Sequence, residues 1–508
     1  MIVSIVFAWR FAFMRNEGAE GMLRRILRIL LPIALLLTVV PPPTRAQTGP
    51  PLSPSSASAP AAKSADLSQT SSDALGWLQN LIRINTTNPP GNELAAAKYI
   101  AGIFERDGIH SEIYESTPGR GFLVARLQAN AMPDSSHALL LMAHLDVVGV
   151  DKTKWKLDPF GGAMQDGYIY GRGAIDDKGM LAANMAVFIA LKRSGVRLKR
   201  DVIFLAEGDE ESGSEGMQFA VQKHWDKIAA GFAINEGGRV VTKDTKVQYI
   251  GVQASEKVMV NVNVIAKGTS GHGSVPRPDN PITHLAAAIA KIGAYEAPVQ
   301  FNSVTRAYFE GLPATQDEET AKWIRALDTP DRGEHAARWV SAANPIWNSM
   351  LRDTIAPTML QAGIRANVVP SEARGVLNVR LLPGNMIDPL IAKLQQLVND
   401  PQVQLEVEPG EHEAAPSSSL NSDLYNTITR VVHQEFPGAP VLPYMSTSAT
   451  DSNFLRMRNV QAYGLLPFPL SEDDLLRMHA DNERVPVDSF RKGVDFLYTI
   501  VTDFAVSK

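Results

Sequence analysis

The 508-residue chain contains no cysteine. That excludes disulfides, thiolate nucleophiles, thiolate metal ligands and lipid attachment through sulfur, so an oxidising compartment poses no hazard to it. A long basic run is also missing, and the formal net charge is −5. Both argue against nucleic acid as the main partner. The apolar stretch Ile29 to Val40, interrupted by Thr38, is too short for a comfortable membrane span. No internal repeat is present. Any metal in this protein must therefore be held by His, Asp and Glu.

What is present begins with an address. Met22-Leu23-Arg24-Arg25-Ile26-Leu27-Arg28 is a short basic segment, the apolar stretch follows, and Thr44-Arg45-Ala46 resembles a small-x-small cleavage site. These three parts predict a signal peptide over 1–46, with Met22 as an alternative start. An N-terminal anchor, helped by the apolar residues Ile2 to Phe13, is the competing reading. Removal of residues 1–46 takes away six Arg and two Glu and moves the net charge from −5 to −9. The expectation is a periplasmic or secreted protein with no stable membrane partner. Residues 47–72, rich in Pro, Ser and Ala, are expected to form a disordered linker.

The remaining length exceeds what one core normally supports, so two domains are expected. Leu75, Leu78, Leu81 and Ile82 recur at helical spacing. Beyond them, strands at Phe122–Leu127, Ala138–Met142, Val202–Ala206 and Phe232–Asn235 alternate with helices at Met180–Arg193 and Met217–Trp225. The fold class is α/β, and ligand sites in such sheets collect at the carboxyl ends of the strands. Near Gly251 the pattern changes to strands at Val258–Ala266, Gly375–Leu382 and Val403–Val407, with a helix at Ile282–Ile292. This predicts a smaller α+β domain over 252–413, carrying a helical insertion at about 300–355. It would be inserted into a larger domain made of 73–251 and 414–508, to which the helices Leu424–Phe436 and Asp488–Ala505 return the chain.

Five places end a strand or open a loop with metal-ligand residue types. They are His144-Leu145-Asp146, Gly171-Arg172-Gly173-Ala174-Ile175-Asp176-Asp177-Lys178-Gly179, Glu210-Glu211-Ser212-Gly213, Glu236-Gly237-Gly238, and His479 within Met478 to Glu483. Each alone is weak: a single H-x-D is usually a solvated loop, and an acidic pair is usually wet surface or a helix cap. Together, several carboxylates at one end of a sheet would repel strongly unless cations neutralise them. Imidazole and carboxylate without thiolate suit zinc, or less often manganese or cobalt.

The order of these motifs closely resembles the di-zinc metallopeptidase family of carboxypeptidase S, aminoacylase, glutamate carboxypeptidase and succinyl-diaminopimelate desuccinylase. The likeness spans roughly 73–508 and is weakest in 300–355. It implies a zinc-exopeptidase-like catalytic domain with a central mixed sheet, plus an inserted lid or dimerisation domain. It assigns His144, Asp176 and Glu236 to one zinc and Asp176, Glu211 and His479 to the second, with Asp176 bridging. Asp146 would orient His144, Glu210 would be the general base, and the Asp176–Asp177 peptide would be cis. His272, in Gly271-His272-Gly273, would polarise the scissile carbonyl, in dimeric members from the partner subunit. Asn367 and Arg380 match the family's substrate-binding Asn and Arg, and Thr450 and Asp451 fall in its substrate-side loop. The remaining histidines, His110, His137, His224, His284, His335, His412 and His433, have no such context.

The function implied is zinc-dependent hydrolysis of an amide or peptide bond next to a free carboxylate, on a small N-acyl amino acid or short peptide, with cobalt or manganese as substitute metals. A homodimer through the lid domain is consistent with the resemblance. Glu236, where dipeptidase-type members tend to carry Asp, favours a carboxypeptidase or deacylase. A dipeptidase of the same fold is the first alternative, and a non-catalytic binding protein on this scaffold the second.

Overall fold

A computed structural model of the chain describes residues 61–129, 137–410 and 414–507. The expected signal peptide and most of the expected linker lie outside the described residues. The linker's last part does not behave as one: Ala61–Arg83 is a single helix, and Thr70 and Ser71 in it are buried. The reason is compositional. The Pro-rich stretch ends at Pro60, and the residues after it carry no helix breaker. No helix of the described residues is long and apolar enough to cross a membrane.

The larger part is a ten-stranded mixed sheet. At its centre Val202–Glu207, Leu139–His144, Phe232–Asn235 and Gln461–Gly464 run parallel. The strands Leu139–His144 and Val202–Glu207 are buried at every position, as their unbroken apolar runs require when both faces are covered. Helices Ala61–Arg83, Lys178–Ser194 and Val487–Ala505 contribute to the core on one face. The helix Glu215–Lys223 supplies Met217, Ala220 and Val221 to the core on the other. Register places His144 opposite Glu207, so the carboxyl ends of the parallel strands share one edge.

A second sheet of four antiparallel strands has the order Thr354–Ala362, Glu372–Leu381, Val258–Lys267, Val403–Val407. Its two central strands, Glu372–Leu381 and Val258–Lys267, largely alternate buried and more exposed residues, and the helices Pro281–Gly293 and Ile387–Val398 cover the apolar face. The expected elements of both parts recur within a few residues of their expected ends. Several strands of the large sheet were not anticipated: Arg239–Lys243, Lys246–Glu256, Val441–Ser446, Gln461–Gly464 and Pro469–Ser471. Arg239–Lys243 and Lys246–Glu256 pair with each other as a hairpin, and the others become strands by pairing with neighbours far away in sequence.

Two boundaries shift. The strand Lys246–Glu256 belongs wholly to the large sheet, so the crossing to the small one falls at Lys257, just past the expected junction. The helices of the 300–355 segment do not join the small sheet. Val304, Tyr308, Phe309, Ile324, Val340, Trp347 and Met350 are buried in the core of the large one. Their apolar faces find cover on Val441–Ser446, where Tyr308 meets Tyr444 edge-on at 6.0 Å.

Lys257 fixes the crossing point. Its buried ammonium donates to the carbonyls of Ser349 and Arg352 and to the Thr354 hydroxyl, tying the end of the helical segment to the start of the small sheet. Burial pulls its pKa down to about 7. The folded state then binds fewer protons than the unfolded state between pH 7 and the ordinary lysine range. The contribution of this group to stability rises with pH across that window and is lost as pH falls towards 7. Lys257→Met should flatten that rise, read as the difference in urea midpoint between the two proteins from pH 7 to 10.

Candidate active site

Three of the site's acidic or imidazole groups sit where a strand stops. His144 is the last residue of its strand, Glu207 ends the neighbouring one, and Glu236 follows Phe232–Asn235. Backbone that has just left a ladder is free to turn, which places side chains over the sheet edge. At Glu236 the turn requires glycine. Gly237 has φ +97°, and a Cβ on Gly238 would lie 2.1 Å from the Gly464 carbonyl oxygen.

The expected ligands meet. His144 Nε2 lies 2.9 Å from Asp176 Oδ1, and His479 Nε2 lies 3.2 Å from Asp176 Oδ2 and 3.0 Å from Glu211 Oε1. Donor atoms of His144, Asp176 and Glu211 all fall within 4.8 Å of one another. Asp176, Glu210, Glu211, Glu236 and His479 line one cavity of about 330 Å³, together with Arg239, Ser446 and Thr450. The Asp176–Asp177 peptide is cis, as the resemblance implies.

Electrostatics support a cationic occupant. Burial, followed by the charges of Glu236, Asp451 and Asp176, pushes Glu210 well above the usual carboxylate range, His144 opposing. Burial and then Asp176 and Asp177 do the same to Glu236. Such crowding of acidic groups is what bound divalent cations relieve. The donors are hard to borderline, contain two imidazoles, and include one carboxylate, Asp176, reaching towards both histidines. That set fits a pair of zinc-like ions.

Asp146 does more than orient His144. His144 Nδ1 is 3.0 Å from the Asp146 main-chain oxygen and 3.5 Å from its carboxylate. The carboxylate itself accepts from the amides of Glu210 and Glu211, at 3.2 and 3.1 Å, and from Asn88 Nδ2 at 2.8 Å. Burial works to raise its pKa, but the bonds from His144, Asn88 and the Glu211 amide hold it below the usual range. Asp146 thus stays charged and holds the loop that presents both the expected base and a ligand.

Several supporting residues were not found from sequence. Glu483 is fully buried and accepts from the amides of Gly173, Ile175 and Asp176 and from Arg172, fixing the loop that carries Asp176. Asn88 bridges Asp146 and Asp209, and Arg120 bridges Asp209 and Glu93. The nearness of Glu483 to His479 was the available signal, but a glutamate in a polar run reads as solvated.

Other expected residues lie elsewhere. His272 and Asn367 are exposed beside a two-stranded ribbon made by Gly271–His272 and Val368–Val369, and neither lines the cavity. Arg380 is half-buried on the small sheet, where its Nε donates to Asn378 and it forms no ion pair among the described residues. Of the two residues expected in the substrate-side loop, Thr450 lines the cavity and Asp451 does not. The amide and hydroxyl of Thr450 both donate to Glu256, and Asp451 is fully enclosed beside Glu207, with burial raising it to about 6. The Thr450 end of the loop is thereby tied to a buried acid. Of the histidines set aside earlier, His224 packs among Tyr114, Phe122 and Phe219, and His335 lies edge-on to Trp323.

Comparison with known proteins agrees with this geometry. Residues 140–503 match Peptidase family M20/M25/M40. The chain belongs to that family. It is a metallopeptidase- or amidohydrolase-class enzyme. It is 28% identical to a probable carboxypeptidase S-like 2 of Dictyostelium discoideum, over 73% of this chain and 72% of the relative. It is 30% identical to the N-fatty-acyl-amino acid synthase/hydrolase PM20D1 of Xenopus tropicalis, over 72% and 73% respectively. Among solved structures, the M20 family metallo-carboxypeptidase Sso-CP2 from Sulfolobus solfataricus superposes with a TM-score of 0.66 at 20% identity, over 85% of this chain and 99% of that one. The shared fold carries the family's expected α/β architecture.

In this enzyme the Asp146 carboxylate should matter to metal and base alike. Asp146→Asn replaces an acceptor of two amides by a group that accepts on one side only. We expect metal affinity and kcat/KM each to fall by about 10- to 100-fold, the range typical of groups that orient ligands. Calorimetric zinc titration alongside steady-state kinetics would measure both, and unchanged metal affinity would show that His144 is held without this carboxylate.

Proposed function

We propose that this enzyme hydrolyses an amide or peptide bond next to a free carboxylate, as a carboxypeptidase or N-acyl-amino-acid deacylase using two zinc ions. The observation that carries the reading is the cavity in which Glu210 stands beside a set of His, Asp and Glu donors. The names of the similar proteins, a carboxypeptidase S-like protein and N-fatty-acyl-amino acid hydrolases, support it.

His144, Asp176 and Glu236 would hold one ion, and Asp176, Glu211 and His479 the other. When bound, the pair supplies Lewis acidity that makes a water nucleophilic near neutral pH and shares developing negative charge. Glu210 is the base. Its raised pKa lets its carboxylate take the water's proton and, once protonated, deliver it to the leaving nitrogen. Asp146 keeps Glu210 aimed through the amide bond described above. His272, Asn367 and Arg380 do not line the cavity, and in this reading they reach the substrate from a second subunit or on closure of the small sheet.

Export after cleavage near Ala46 belongs to the same proposal. Cell fractionation and N-terminal sequencing of the mature protein test it, and a cytoplasmic protein retaining Met1 would reject it.

The catalytic claim is tested with a panel of N-acyl amino acids and free dipeptides, assayed with and without added zinc. We expect N-acyl substrates or C-terminal peptide bonds to be cut, chelation to abolish turnover, and zinc to restore it. Glu210→Gln should lower kcat by about 10²- to 10⁴-fold, the usual contribution of a positioned base. Preference for free-amine dipeptides would move the assignment to dipeptidase. Turnover that survives Glu210→Gln would overturn the mechanism.

A further inference from the structure

One cation lines the catalytic cavity and has no role in the chemistry above. Arg239 follows Glu236-Gly237-Gly238 directly and opens the strand Arg239–Lys243. Its guanidinium lies over the Tyr444 ring, 4.7 Å from the centroid, and one nitrogen donates to the Tyr444 hydroxyl at 3.1 Å. It forms no ion pair with a carboxylate among the described residues, and Tyr444 is its sole hydrogen-bond partner among them. Among the charges that act on it, Tyr444, Tyr249 and Tyr308 each count for more than the carboxylate of Glu472.

The mounting is specific. The Arg239 stem passes Gly251, where a Cβ would approach its Cγ to 3.3 Å. Tyr444 is itself buried and braced by Tyr308, which comes from the helical segment packed on this side of the sheet. A planar fork with most of its donors unused, held by an aromatic face at the wall of an acidic cavity, is built to receive an anion. Of the acidic groups lining the cavity, Asp176, Glu211 and Glu236 are the proposed ligands and Glu210 the proposed base, and none forms an ion pair with Arg239 among the described residues.

Building on the proposed function, we propose that Arg239 binds a second carboxylate of the substrate, so that the enzyme prefers substrates whose amino-acid part has an acidic side chain. The carboxylate next to the scissile bond is the one common to every substrate of the proposed class. The one on Arg239 distinguishes among them. The helical segment acquires a role by the same argument: through Tyr308 and Tyr444 it positions the specificity group.

The test uses N-acetyl-glutamate and N-acetyl-glutamine, which differ in side-chain charge and hardly in shape. Binding of both to zinc-loaded Glu210→Gln protein is measured by calorimetry, with and without Arg239→Gln, and kcat/KM for both is measured in the enzyme with an intact base. We expect glutamate to be favoured over glutamine, and Arg239→Gln to cut that ratio about 10- to 100-fold, the loss typical of a charge-assisted hydrogen bond. Arg239→Lys should keep part of the ratio. Tyr444→Phe, which removes only the hydroxyl that orients the fork, should lower it less than Arg239→Gln does. Equal binding of the two ligands, or an Arg239→Gln effect of the same size on both, overturns the assignment. A binding preference without hydrolysis of any N-acyl amino acid or C-terminal peptide bond would leave Arg239 in place and reject the proposed function.

Discussion

Repulsion between carboxylates at one edge of the large sheet is the constraint on which the rest of the structure depends. Two like charges about 4 Å apart cost on the order of 4 kcal/mol at an effective dielectric near 20. Asp176, Glu210, Glu211 and Glu236 share one cavity, with Asp146 and Asp177 buried behind them. Hydrogen bonds from backbone amides neutralise part of this, and imidazoles another part. What remains calls for metal cations. The same repulsion raises Glu210 and Glu236, which turns a structural burden into a property useful for proton transfer.

Holding such a cluster requires rigid surroundings, and the chain provides them in layers. The parallel strands deliver His144, Glu207 and Glu236 to one edge because their apolar runs are buried on both faces and cannot slip. Glu483 and Arg172 form a buried pair beneath the loop carrying Asp176. Asn88, Asp209, Arg120 and Glu93 form another network beside the loop carrying Glu210 and Glu211. Buried ionic groups of this kind contribute little net stability, but once fully bonded they leave the loops a single arrangement.

The helical segment between the small-sheet strands shows how packing can reassign a stretch of sequence. Its position in the chain suggests membership of the inserted part, whereas its buried side chains complete the large core. It ends at Lys257, whose ammonium satisfies the free carbonyls at the end of the last helix. Through Tyr308 it also reaches Tyr444 and Arg239, so an element that resembles the family least bears on the wall of the site.

The sequence by itself determined the α/β pattern and the His, Asp and Glu residues that gather at one sheet edge. These depend on local order: apolar runs that end in His, Asp or Glu, with glycines where the chain must turn. Asp146 and Glu210 stand out for that reason, whereas His479, in a polar run, and the role of each are what the family resemblance implies. Tertiary structure alone decided which polar groups remain free. Thr450 carries the right chemistry, and only the fold shows that its amide and hydroxyl bind Glu256, far off in the chain, and that Asp451 is enclosed. Glu483 and Arg239 were hidden for the opposite reason. A charged residue in a polar run or at a strand start looks solvated until the fold surrounds it, and only then does its hydrogen bonding, complete for Glu483 and unfinished for Arg239, show what it does.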